Sequence, residues 1–111
     1  YPDERGAGEG EGYNHNLTMG LGTQWPGYEP VLEDACRLVD DFGPDMVVVA
    51  LGVDTAVEDG VLALEGDDYL RLGERLARLG RPTVLVQEGG YDLRVLGKNV
   101  AAVIEGFIQA R

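Results

Sequence analysis

Apolar and polar positions follow no lasting period over residues 1–28 and a clear one thereafter. In the first segment Gly6, Gly8, Gly10, Gly12, Gly20, Gly22 and Gly27 alternate with polar and aromatic residues. This predicts a glycine-rich loop segment, with at most a short extended stretch around His15–Thr18. From Glu29, residues Val31, Leu32, Ala35, Leu38, Val39 and Phe42 recur at helical spacing. Pro30 suits the first turn of such a helix and Gly43-Pro44 ends it. Met46–Leu51 is a continuous, mostly β-branched run without alternation, the pattern of a strand buried on both faces of a parallel sheet. A second helix is predicted from about Asp67 to Leu79, with Tyr69, Leu72, Leu76 and Leu79 on one face, acidic residues in its first turn and Gly80 after its end. Thr83–Gln87 is a second buried strand, and Glu88-Gly89-Gly90-Tyr91 a tight turn. Leu93, Leu96, Val100, Val103, Ile104 and Phe107 make a final amphipathic helix.

The order over residues 29–111 is therefore helix, strand, helix, strand, helix, an α/β arrangement. A strand–helix–strand unit of this length implies two parallel strands joined by a right-handed crossover. Ligands of open parallel sheets bind outside the carboxyl ends of the strands. Two segments leave such ends here, Gly52-Val53-Asp54-Thr55 and Glu88-Gly89-Gly90-Tyr91. Neighbouring strands would bring Asp54 and Tyr91 to one crevice.

Composition narrows the class. The chain has 111 residues, enough for one small domain, and 44% of them are hydrophobic, enough for a core. Neither a membrane-length apolar run nor a signal-peptide pattern is present, so the expectation is a cytoplasmic domain that does not enter a membrane. The single Cys36 cannot form an internal disulfide and reads as a small core residue. Twenty acidic against nine basic side chains give a net charge of −11, which disfavours nucleic acid and favours cationic ligands or a merely solvated surface.

Few residues could carry chemistry. Asp54 follows an apolar strand and a glycine, where a carboxylate serves as a metal ligand, an acid/base group or a loop cap bonded to backbone N–H groups. Tyr91 follows two glycines that could aim its ring into a cleft, where a phenol can donate to a developing oxyanion; otherwise it is a turn tyrosine packed on the sheet edge. His15 has no histidine partner and reads as a structural or surface residue. The Gly6–Gly12 run lacks the preceding strand and the lysine of a phosphate loop, and Glu58-Asp59 lacks the spacing of a calcium loop and reads as solvated.

Three segments in order carry a family resemblance: Gly10-Glu11-Gly12-Tyr13-Asn14-His15-Asn16-Leu17, Pro44–Thr55 with its Leu-Gly-Val-Asp-Thr turn, and Glu88-Gly89-Gly90-Tyr91. Together they resemble the carboxyl-terminal part of the histone deacetylase superfamily, and most closely the bacterial acetylpolyamine amidohydrolases. The resemblance implies an arginase-like open, mainly parallel sheet flanked by helices, and zinc-dependent hydrolysis of an N-acetyl amide. It implies that Asp54 is a zinc ligand and that Tyr91 hydrogen-bonds the substrate carbonyl and the tetrahedral oxyanion. It further implies that the Tyr13 backbone carbonyl faces a structural monovalent cation such as potassium. Tyr1, in an aromatic-proline pair, and Gly89 and Gly90 would border the substrate channel. The substrate would be a cationic N-acetylated small molecule or an acetyl-lysine.

The same resemblance marks what the chain lacks. The Asp-x-His pair of zinc ligands and the tandem histidines that act as general base and acid are not in this sequence, and Gly60 stands where a proline is usual. The expectation is thus part of an active site, inactive alone, with open sheet edges that favour self-association into a homo-oligomer. The competing expectation is a non-catalytic remnant or binding module that keeps the fold without zinc. That reading requires Asp54 to be engaged in local backbone bonds.

Overall fold

A computed structural model describes all of residues 1–111. Its main elements are α1 (Trp25–Phe42), β1 (Val47–Leu51), α2 (Gly66–Ala77), β2 (Thr83–Gln87) and α3 (Leu96–Gln109), with single 3₁₀ turns at Gly8–Gly10 and Val57–Asp59. The two strands are parallel neighbours, Val47 opposite Thr83 and Leu51 opposite Gln87. With α2 between them they form the crossover unit expected from the sequence.

Helix α1 begins at Trp25, four residues before the point where the apolar pattern becomes regular. Pro26 rather than Pro30 occupies its first turn, and Pro30 lies inside the helix. Trp25, Tyr28, Leu32, Cys36 and Val39 form the stripe that meets the core. Trp25 belongs to the segment predicted as loop, so the core reaches back into it. Phe42, expected on the buried face, is exposed and takes the Tyr13 ring edge-on at 6.1 Å between centroids. Gly43 ends α1 in the left-handed conformation, where a residue without Cβ carries no penalty.

Helix α2 starts where the Asp68 carboxylate reaches back 2.9 Å to the Glu65 N–H. Its predicted face is the buried one: Tyr69, Leu72, Leu76 and Leu79 all lie in the core. An ion pair joins α2 to α1, with Arg75 Nε donating to Glu33 Oε1 at 2.6 Å. That guanidinium bond holds the Glu33 carboxyl below its ordinary range. Helix α3 begins at Leu96, so Leu93 is not part of it and stands 83% exposed before its start. The stretch around His15–Thr18 forms no strand; Asn14 and Asn16 instead tie it across to Glu4, through the Glu4 carbonyl and carboxylate.

One expectation about the sheet is corrected. Val47, Val49, Leu51 and Leu85 face the common core, whereas Val48, Val84 and Val86 on the opposite face are exposed. The strands are apolar on both faces but covered on one. The sequence pattern reports what the strands could bury, and the second face has no helix of this chain to bury it against.

Candidate functional site

The β1–β2 pairing continues past the strands and carries both candidate loops with it. The Glu88 N–H donates to Leu51 O at 2.9 Å, and the Val53 N–H to Gly89 O at 3.1 Å. Asp54 and the Gly89-Gly90-Tyr91 turn therefore leave the same end of the sheet, side by side, as the topology predicts.

The Asp54 carboxylate lies between two glycines. A Cβ at Gly89 would stand 2.6 Å from each carboxylate oxygen, and one at Gly52 would stand 2.7 Å from Oδ1. A side chain at either position would have to displace this carboxylate. None of the side-chain hydrogen bonds of the chain ends on this carboxylate; those nearby serve the residues around it. The loop-cap role is thus not the one Asp54 performs.

The backbone on each side of Asp54 is braced from beneath. Tyr69 of α2 is fully buried, and its hydroxyl donates to Val53 O at 3.3 Å. Thr55 Oγ1 lies 2.9 Å away and, with the tyrosine proton committed to Val53, is the donor to it. Burial pushes the Tyr69 phenol up to about 12, so it remains a proton donor throughout the physiological range. The helical period placed Tyr69 in the core; nothing in the pattern revealed that its hydroxyl supports the Asp54 loop. Tyr69→Phe is expected to lower stability by about 1–2 kcal/mol, since Val53 O loses its buried donor. Amide hydrogen exchange at Val53 and Ala56 should accelerate with it, and unchanged exchange would count against the brace.

Tyr91 is 75% exposed, and its N–H donates to Asp59 Oδ1 at 3.1 Å. Asp59 was expected to be a solvated loop residue; it is instead a tie between the two loops. Gly90 adopts φ 127°, and a Cβ there would lie 2.6 Å from Val53 Cγ2 and 2.7 Å from Leu96 Cδ1. After the tyrosine, Asp92 opens the way into α3. Its carbonyl accepts the Val95 and Leu96 N–H groups, and its carboxyl is held down to about 2 by the side-chain hydrogen bonds of Arg94.

Tyr13 and His15 are not brought to this crevice. Tyr13 packs on Phe42 and, with His15, Met46 and Val47, lines a groove at the opposite, amino-terminal end of β1. Tyr1 is 86% exposed, and its carbonyl accepts from the Asn16 amide at 2.7 Å. Cys36 is buried, and burial pushes its thiol up, which suits a core residue. No three His, Cys, Asp or Glu side chains come together as a metal-holding group.

The histone deacetylase domain matches residues 1–107. The chain belongs to the histone deacetylase family. It is 46% identical over 109 residues to acetylpolyamine amidohydrolase 1 of Pseudomonas aeruginosa, covering 96% of this chain and 32% of that protein. It is 33% identical over 115 residues to histone deacetylase 8 of Arabidopsis thaliana, covering 96% of this chain and 30% of that one. The crystal structure of acetylpolyamine aminohydrolase from Burkholderia pseudomallei superposes with a TM-score of 0.95 at 41% identity, over 100% of this chain and 33% of that one. The fold is thus the α/β, arginase-like deacetylase fold, and this deacetylase-family chain spans about a third of the length of the curated relatives it matches.

Proposed function

We propose that this chain forms the carboxyl-terminal part of a zinc-dependent amidohydrolase that removes acetyl groups from N-acetylated amines. The observation that carries the reading is the Asp54 carboxylate, free of hydrogen bonds in a cradle of Gly52 and Gly89 beside the Tyr91 turn. A carboxylate kept bare and given space by two glycines fits a metal ligand, and a binding module would have used it as a cap. It supplies one of the three protein ligands a catalytic zinc usually takes, so the remaining ligands and the histidine acid/base pair come from residues outside this chain.

Zinc held there supplies Lewis-acid polarisation of the amide carbonyl and an activated water. This chain's own part is to hold Asp54 rigid through Tyr69 and Thr55, and to present the Tyr91 hydroxyl as a hydrogen-bond donor to the oxygen that gains charge as the amide is attacked. Gly89 and Gly90 border the approach to Asp54, and Tyr1 would stand further out along it. The Tyr13 carbonyl offers an oxygen to a monovalent cation such as potassium. The net charge of −11 favours a cationic substrate, an acetylpolyamine or an acetyl-lysine.

The test is deacetylation by the complete reading frame that contains this segment. Tyr91→Phe should lower kcat by about 10²–10³, the usual cost of losing one oxyanion donor, with zinc content unchanged. Full activity in that variant would sink the assignment.

A further inference from the structure

The Tyr91 side chain cannot hold its own position. It is 75% exposed, its hydroxyl makes no hydrogen bond, and it follows two glycines whose backbone is freer than that of any other residue. What fixes it must act on its backbone. On the carboxyl side the start of α3 does so through Asp92. On the amino side Gly89 O accepts from the Val53 N–H, and the tie on the Tyr91 peptide itself is the 3.1 Å bond from its N–H to Asp59 Oδ1.

Asp59 is well placed for this. It ends the 3₁₀ turn Val57–Asp59, which Gly60 closes at φ 81°. The turn rests on a small ladder: Val57 N–H donates to Leu64 O and Leu64 N–H to Thr55 O, both at 3.1 Å. Ala56 and Leu64 beneath it are fully buried. The carboxylate thus projects from a fixed base and reaches across 32 residues of sequence to the Tyr91 peptide. An ionised acceptor makes a stronger bond to an N–H than a neutral carbonyl does.

We propose that Asp59 is a positioning residue for Tyr91: it locks the peptide that carries the phenol and so sets where the hydroxyl points. The inference rests on the deacetylase reading above, in which Tyr91 is the donor. Asp59 acts through the Tyr91 backbone, so its effect should appear in kcat and not in KM or zinc affinity.

The experiment uses the complete reading frame with an acetyl-lysine peptide and acetylputrescine as probes. Asp59→Ala should lower kcat by about tenfold or more, since a displacement near 1 Å can cost up to about 10²-fold. KM and zinc stoichiometry should stay as in the parent. Asp59→Asn keeps an oxygen acceptor and should recover most of the loss. In a Tyr91→Phe background, Asp59→Ala should cost nothing further, because the group it positions is already gone. An unchanged kcat in Asp59→Ala overturns the proposal. So does an equal loss in Asp59→Asn, or the same loss repeated in the Tyr91→Phe background, each of which would mark a general structural role. Should Tyr91→Phe alone keep full activity, it is the deacetylase reading that fails, and the two failures are distinct.

Discussion

Asp54→Asn, in the complete reading frame, is expected to lower zinc affinity by more than about a hundredfold and to reduce deacetylation to background. Changes to residues that only support a metal ligand cost about 10–100-fold, and loss of a ligand itself should exceed that. The asparagine is the sharper variant than alanine, because it is close in size and so fills the cradle of Gly52 and Gly89, while losing the charge and one acceptor oxygen. The same substitution should leave stability within about 0.5 kcal/mol, as for a residue with no structural bonds to lose. A loop cap would behave in the opposite way, losing about 1 kcal/mol of stability and no metal. Chelator competition, turnover and urea unfolding on one preparation separate the two. Retained zinc affinity together with reduced stability would return Asp54 to the structural role.

The second large effect lies away from the site. Gly73 of α2 and Gly106 of α3 face each other's helices, and both are buried. Glycine inside a helix costs about 1 kcal/mol relative to alanine, so two at one crossing need a reason. A Cβ at Gly73 would overlap the Val103 carbonyl and stand 2.8 Å from the Phe107 nitrogen; one at Gly106 would overlap the Leu70 carbonyl and stand 3.1 Å from the Glu74 nitrogen. The two backbones touch, and a methyl group must push the helices apart. Gly73→Ala and Gly106→Ala are each expected to lower stability by about 2–4 kcal/mol, the overpacking cost exceeding the gain in helix propensity. Gly97, also in α3, is the internal control: a Cβ there meets nothing within 4 Å, so Gly97→Ala should be neutral or slightly stabilising. Equal behaviour of Gly73→Ala and Gly97→Ala in urea unfolding would show that the crossing is not tight. Because Leu96 packs against Gly90, a displaced α3 should also disturb the Tyr91 turn.

Much of this was legible in the residues. The 3.6-residue recurrence of Tyr69, Leu72, Leu76 and Leu79 and the β-branched runs at 47–51 and 83–87 have local causes, so the sequence carries them openly. A strand–helix–strand order fixes the strands as parallel, and that alone sends Asp54 and Tyr91 to one end of the sheet. The start of α1 was less legible, because Pro26, Gly27 and Pro30 mask a helix whose first turn is anchored by burial of Trp25.

The sequence by itself determined the elements, their order and the two residues on which the proposed chemistry depends, since each follows from local periodicity, turn chemistry or a motif of contiguous residues. Only the tertiary structure decided what supports them. The bond from Asp59 to Tyr91 spans 32 residues, that from Tyr69 to Val53 spans 16, and the meeting of Gly73 with Gly106 joins separate helices. It also decided that the Asp54 carboxylate stays bare and that one face of the sheet stays open. Such contacts depend on how elements pack in space, and a hydroxyl, a carboxylate or a missing Cβ at one position carries no local mark of the partner it will meet.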